Sequence, residues 1–247
     1  MPQDFCKVAA IVQARMGSTR LPGKVLMDIG GRSALARVTD RLARAERVHQ
    51  LVVATTTSPL DDAIVAEAGR NNIAVFRGSE QDVLSRYLQA AEEFRADLVV
   101  RITSDCPLID PGEVDRVISE ALSSGADFAS NCIERTYPRG LDAEVVTLEA
   151  LRRADDLGER PHHREHVTPI FYERPDLFRV CSVTGDEDYT RHRWTLDTPE
   201  DLQLIRAIYS HFDDPDYFGW REVITLMEEH PELAEINSHV IQKAVAS

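Results

Sequence analysis

Lys7-Val-Ala-Ala-Ile-Val-Gln13 runs without a break into Ala14-Arg-Met-Gly-Ser-Thr-Arg-Leu-Pro-Gly-Lys24, and the fold is decided at that junction. The first piece is a short apolar run that reads as a strand buried on both faces. The second is a loop carrying three cations, Arg15, Arg20 and Lys24, with Gly17, Gly23 and the hydroxyls of Ser18 and Thr19. Glycine lets the backbone approach a ligand closely and turn its amides inward. Arginine brings forked donors to phosphate oxygens, and lysine a compact charge. A basic, glycine-bearing loop directly after a buried first strand has the chemistry of a triphosphate cradle. It is not a Walker A loop, because Val25 stands where a Ser or Thr would follow the lysine, and it is not the G-x-G-x-x-G dinucleotide pattern.

Working outward, strand-like and helix-like stretches alternate. Residues 33–46 carry Leu35, Val38, Leu42 and Ala45 at helical spacing behind Ser33, a good N-cap. Residues 51–55 read as a strand and 59–71 as a helix. Residues 73–76 read as a strand ended by Arg77-Gly78, and 82–95 as a helix. Residues 98–103 are a fourth strand, 111–123 a helix opened by Pro111, and 127–130 a fifth strand. Such alternation implies right-handed βαβ units on a largely parallel sheet, with ligands bound beyond the carboxyl ends of the strands. The second half is less regular. Strands are expected at 141–146, 179–183 and 191–196, a helical start within 161–172, a helix over 199–209, and two short helices from Trp220 onward. The expected class is α/β and Rossmann-like, one domain over 1–247, with a mostly parallel central sheet and a helical C-terminal trim over 199–245.

The chain has 247 residues, 43% hydrophobic and 28% charged, an ordinary globular composition able to bury a full core. The 28 basic and 42 acidic side chains leave a net charge of −14. That argues against broad binding to nucleic acid or to an anionic membrane, and it makes a local basic loop informative. Apolar runs such as 8–12 are far short of a membrane span. Met-Pro-Gln-Asp-Phe at the start lacks the pattern of a signal peptide. Cys6, Cys106, Cys132 and Cys181 have no paired spacing and read as reduced thiols that fill space, which implies a cytoplasmic protein.

Two aspartates follow two predicted strands. Asp105 lies in Arg101-Ile-Thr-Ser-Asp-Cys-Pro-Leu-Ile-Asp110, and Asp197 in Trp194-Thr-Leu-Asp-Thr-Pro-Glu-Asp-Leu202. Carboxylates at two strand ends beside a phosphate cradle suit Mg²⁺, which takes one or two protein carboxylates and fills its octahedron with waters and phosphate oxygens. Asp197 could instead cap the helix that begins near Pro199, as Asp110 would cap the one at Pro111. His162-His-Arg-Glu-His166 matches the inverted zinc-peptidase motif H-x-x-E-H, with no third ligand evident.

The chain resembles the SpsF-type family of spore-coat polysaccharide cytidylyltransferase-like proteins. It shares with them Arg15-x-Gly-Ser-Thr-Arg-Leu-Pro-Gly-Lys24, Arg77-Gly-Ser-Glu-x-Asp-Val-Leu84, Asp105-Cys-Pro-Leu-Ile-Asp110, Gly140-Leu-Asp-x-Glu-Val145, Arg164-Glu-His-Val-Thr-Pro169 and Trp194-Thr-Leu-Asp197. Through the same loop and the two aspartate segments it is similar to CMP-Kdo synthetases and acylneuraminate cytidylyltransferases. It departs from the latter at Thr19, where they carry lysine, and at Val25, where they carry asparagine.

The resemblance implies a glycosyltransferase-A-type nucleotidyltransferase fold and CTP-dependent activation of an acidic sugar, as its CMP derivative, for surface polysaccharide. CTP would lie over Gln13, Ala14, Arg15, Gly17, Ser18, Thr19, Arg20 and Lys24. Arg15 and Lys24 would neutralise the phosphates, and Asp105 and Asp197 would hold Mg²⁺. Arg77, Ser79 and Asp82 follow the third strand, where such folds read base or ribose, although Ser79 also reads as a helix cap. Arg139 could meet an acceptor carboxylate, and Asp142 could orient the acceptor hydroxyl or support the metal. Glu144 and His166 complete the expected acceptor set, with a plain surface loop and helix face as the alternative. A homodimer formed through roughly 150–190 is implied as well. The competing readings are a nucleotide-sugar-dependent glycosyltransferase of the same fold and an inactive nucleotide-binding partner subunit.

Overall fold

The computed structural model describes residues 6–242. β1 (Val8–Gln13) is an inner strand of the sheet, between two parallel neighbours. Ala10 and Val12 face one core cluster while Ala9 and Ile11 face another, so this strand is buried on both sides. Past the basic loop and a 3-10 turn at Lys24–Leu26, β2 (Asp28–Ile29) and β3 (Arg32–Ser33) form a two-stranded ribbon. It turns at Gly30 and Gly31, with φ of 59° and 82°, the left-handed region that favours glycine. α1 (Ala34–Leu42) follows, and the Ser33 hydroxyl accepts from the Ala36 amide as its cap.

β4 (Gln50–Thr56), α2 (Asp62–Arg70), β5 (Ala74–Gly78), α3 (Val83–Glu93), β6 (Leu98–Thr103) and α4 (Pro111–Ser124) continue the alternation. Asp110 caps α4 by accepting from the amides of Gly112 and Glu113. The later elements are β7 (Phe128–Ser130), β8 (Glu144–Thr147), α5 (Leu148–Leu157), α6 (Pro161–His166), α7 (Pro169–Glu173), β9 (Val180–Ser182), α8 (Pro199–Ser210), α9 (Trp220–Glu229) and α10 (Glu232–Glu235).

The sheet order is β5-β4-β1-β6-β8-β7-β9. β5, β4, β1 and β6 are mutually parallel, β8 runs antiparallel to both its neighbours, and β9 is parallel to β7. The expected α/β, mostly parallel architecture is therefore what the chain adopts. Val38, Leu42, Val100 and Val117 build the core on one face, and Tyr87, Val99, Phe128 and Phe171 on the other. A third cluster, around Trp194, Leu196, Ile205 and Trp220, packs the C-terminal helices against Leu21 and Leu108. Burial of each such side chain is worth about 1.5–3 kcal/mol. This cluster clamps the segment that carries Asp197 onto the basic loop.

Two expectations change, one is met over a shorter stretch, and one helix is new. Residues 191–196 are not a strand. In place of strand pairing, this segment makes an isolated bridge between Arg139 and Arg193, and the Leu196 amide donates to the Asp105 carbonyl. The strand expected at 141–146 starts at Glu144, because the Asn131 side chain ties down the backbone of Leu141 and Ala143 just before it. The helical start expected from Pro161 is present over Pro161–His166 and breaks at Val167, at a φ of 71°. Leu148–Leu157 is a helix that the sequence reading left unassigned, capped by the Thr147 hydroxyl.

Candidate active site

The basic loop is shaped by its own backbone. The Met16 carbonyl accepts from the amides of Ser18 and Gly23 at 2.9 and 3.2 Å. Asp61 accepts from the Met16 amide at 2.8 Å and from the Thr56 hydroxyl. Burial alone would raise the Asp61 pKa, but these donors keep its carboxyl below the ordinary range, so a fixed anion anchors the loop. Gly23, at φ 70°, ends the loop and starts the turn that projects Lys24.

Lys24 is the centre of the site. Its ammonium lies 3.0 Å from Asp105 Oδ2, 2.9 Å from Asp197 Oδ1 and 2.8 Å from the Leu196 carbonyl. Burial would lower its pKa, yet Asp105 and then Asp197 raise it above the ordinary value. Burial would likewise raise the Asp105 carboxyl, but Lys24 and the Thr103 hydroxyl carry it below its ordinary range. Arg20 and Arg193 meet Asp197 Oδ2 at 3.0 and 2.9 Å. Arg193 also binds fully buried Asp201, which accepts from the Asp197 amide. Three cations are thus matched by three carboxylates. The helix cap ahead of Pro199 is Thr198, which forms a capping box with Asp201. Asp197 keeps its side chain for the site.

These groups open into a cavity of about 1010 Å³. Among its walls are Gln13, Ala14, Arg15, Gly17, Ser18, Thr19, Arg20, Lys24, Asp105 and Asp197 from the expected nucleotide end. Arg139, Asp142, Glu144 and His166 line it from the expected acceptor end. Arg15 is 3.7 Å from Glu80 across the mouth. Asp142 is paired with Arg135 at 2.5 Å, and Glu144 with Arg101 and the Thr168 hydroxyl. Arg139 forms no ion pair among the described residues. Burial, then the neighbouring Arg135, lowers its pKa. Burial also lowers the pKa of His166, which favours the neutral imidazole.

Arg77, Ser79 and Asp82 stand apart from this lining. Arg77 donates to the carbonyls of Thr56 and Ser58 and pairs with Asp62. The Ser79 hydroxyl accepts from the Asp82 amide, and Asp82 caps α3 and pairs with Arg164. In the H-x-x-E-H segment, His162 and His163, not His162 and His166, come together. Both turn onto Glu173 of α7, each with Nε2 at 2.9 Å from a carboxylate oxygen.

The sequence reading passed over Arg86, Arg101, Thr168 and Tyr172, which also line the cavity. Two of them had a signal. Arg101 interrupts the apolar run of β6, and Arg86 falls on the buried face of α3 between Val83 and Ala90. A charge on a core-facing position needs a reason.

The donor set at Asp105 and Asp197 fits a hard divalent cation. It consists of two carboxylates, Asp105 just past β6 and Asp197 just ahead of α8, brought together by one ammonium at the foot of an amide-bearing loop.

Comparison with known proteins agrees with this layout. A family model described as cytidylyltransferase matches residues 9–227. The spore coat polysaccharide biosynthesis protein SpsF of Bacillus subtilis is 33% identical over 91% of this chain and 95% of its own. A 3-deoxy-manno-octulosonate cytidylyltransferase of Anaeromyxobacter dehalogenans is 29% identical, covering 81% of this chain and 97% of its own. The structure of a cytidylyltransferase from Leptospira borgpetersenii superposes with a TM-score of 0.90 at 33% identity, over 98% of this chain and 100% of that one. By the extent of the family match, and by a structural likeness that runs almost end to end, the chain belongs to the cytidylyltransferase family.

Proposed function

We propose that the chain transfers a cytidylyl group from CTP to an acidic sugar, a 3-deoxy sugar acid or a close chemical relative, and releases pyrophosphate. The observation that carries this reading is the Lys24 ammonium held between Asp105 and Asp197 at the end of a glycine-bearing basic loop. Arg15, Arg20 and Lys24 would neutralise the triphosphate, and the Gly17 amide would be offered to its oxygens. An acceptor hydroxyl then attacks the α-phosphorus in line. The new O–P bond forms as the bond to the β-phosphate oxygen breaks, and pyrophosphate carries the charge away. Mg²⁺ held by Asp105 and Asp197 would supply charge neutralisation on the triphosphate. The rest of catalysis is positioning and fixed charge. Arg139, at the far end of the cavity and with no ion pair among the described residues, is suited to an acceptor carboxylate.

The relatives' printed activities support the sugar-acid acceptor and a role in surface polysaccharide. No helix among the described residues is long and apolar enough to cross a membrane, and the reading places the work in the cytoplasm. A homodimer through residues 150–190 belongs to the same reading. Leu157 and Tyr172, both large and exposed, lie in that segment. The test is product analysis by ³¹P NMR after incubation with CTP, Mg²⁺ and a panel of 3-deoxy sugar acids. A CMP-linked phosphodiester together with free pyrophosphate supports the reading. Transfer of sugar from a supplied CMP-sugar, with no pyrophosphate, would make the chain a glycosyltransferase instead.

A further inference from the structure

We propose that Arg86 reads the nucleobase, its guanidinium donating to the acceptor edge of cytosine. The inference rests on the assignment of CTP as donor substrate. Arg86 is only 2% exposed, yet it lines the cavity. Its Nη1 donates to the Ser79 carbonyl at 2.6 Å. Its Nε is buried with no partner, and it forms no ion pair among the described residues. The other arginines of the nucleotide end are matched, Arg101 by Glu144, Arg20 by Asp197 and Arg15 by Glu80. Arginine cannot shed its proton to escape burial. A buried guanidinium with no direct ion pair and an unpartnered N–H is unfavourable, so a ligand that brings acceptors to it gains binding free energy.

The surroundings select the kind of acceptor. Arg86 sits against the end of β5, where a Cβ on Gly78 would come within 3.0 Å of its Cγ, so the arm has little freedom to swing. Its charged neighbours are Arg15, Asp61 and Glu80, whereas the phosphate-facing ammonium of Lys24 is surrounded by Asp105 and Asp197. The loop already supplies three cations for the phosphates. A guanidinium packed this closely against β5, with the carboxylates of Asp61 and Glu80 among its neighbours, suits a flat neutral ring better than a polyanion. Cytosine presents two adjacent acceptors, O2 and N3. Uracil presents a donor at N3, which would face the arginine donor and leave it unpaired. Arg86 therefore both holds the base and favours cytidine over uridine.

The test compares wild type with Arg86→Gln and Arg86→Lys. It measures kcat/KM for CTP and UTP, and the affinities for cytidine and for inorganic tripolyphosphate. If wild type does not turn over CTP, the donor assignment fails before any variant is made. Given CTP turnover, Arg86→Gln should reduce the CTP-over-UTP preference by about 10- to 100-fold and weaken cytidine binding by a similar factor. Tripolyphosphate affinity should stay within about twofold. Arg86→Lys keeps the buried charge but loses the fork, and should fold normally while losing most of the preference. If either folded variant keeps the wild-type preference, or tripolyphosphate binding falls as far as cytidine binding, the base-reading role is wrong.

Discussion

The Nζ of Lys24 and the Oδ2 of Asp105 meet at 3.0 Å across 81 positions of sequence, the former at the end of a loop, the latter beyond a central strand. Asp197 closes the same group from the other side. Lys24→Gln should therefore do two things. It removes the charge proposed to act on the triphosphate, which should lower kcat/KM by about 10³-fold. It also leaves Asp105 without its ion-pair partner, which should lower stability by about 3 kcal/mol. Steady-state kinetics and urea unfolding read the two effects separately. Near-normal turnover would remove Lys24 from the reaction.

Asp105→Asn and Asp197→Asn keep shape and change charge. Each should cost on the order of 10³-fold in rate and flatten the dependence on Mg²⁺ concentration. They should differ in stability. Asp197 holds Arg20, Arg193 and Lys24 together, whereas among the described residues Asp105 pairs with Lys24 alone. Thermal unfolding should show the larger loss for Asp197→Asn. Equal losses would mean that the Arg20–Arg193 contacts contribute little.

Gly140→Ala tests how the acceptor end is held. Gly140 has a φ of 108°, and an added Cβ would meet the Trp194 carbonyl carbon and oxygen at 2.7 Å and the Thr195 amide nitrogen at 2.9 Å. All three are backbone atoms with no rotamer to yield. The substitution should destabilise by about 3 kcal/mol or more, and it should lower turnover by displacing both Arg139 and the segment leading to Asp197. A melting temperature within the error of wild type would show that the two segments are not clamped at this point.

A pH effect follows from His192, which is buried against Trp194. Burial, then the Arg191 charge, pushes its pKa down to about 4 from 6.5. The folded state thus binds this proton less readily than the unfolded chain. Stability is complete above about pH 6.5 and is lost as pH falls toward 4, by up to about 3 kcal/mol. His192→Asn should flatten the stability profile in that window, measured by urea unfolding at stepped pH. An unchanged slope would mean that other groups set it.

The sequence made the left half of the sheet legible for a physical reason. β1, β4 and β6 are buried on both faces, so their apolar runs are nearly continuous and bounded by turn residues. The loop was legible because glycine and three cations in an acidic chain have few other uses. The 191–196 segment misled because Trp194 and Leu196 alternate like a strand, but they are buried by the C-terminal helices and not by strand pairing. The β2–β3 ribbon went unnoticed although Gly30-Gly31 is a strong hairpin signal. Arg77, Ser79 and Asp82 follow the right strand, but their side chains are taken up by backbone carbonyls, a helix cap and Arg164. Arg86, one turn further on, reaches the cavity, and spacing alone does not say which of two nearby arginines will.

The central claim is cytidylyl transfer, and pyrophosphate release tests it most directly. Purified protein with Mg²⁺ would be offered CTP, UTP, GTP and ATP, each against 3-deoxy sugar acids, hexose phosphates and phosphonates, with Asp105→Asn as the control. The account predicts pyrophosphate from CTP with one acidic acceptor, and at least about 10³-fold less from the control. Release that favours another nucleotide, or none from any pair by protein that still binds CTP, would contradict it.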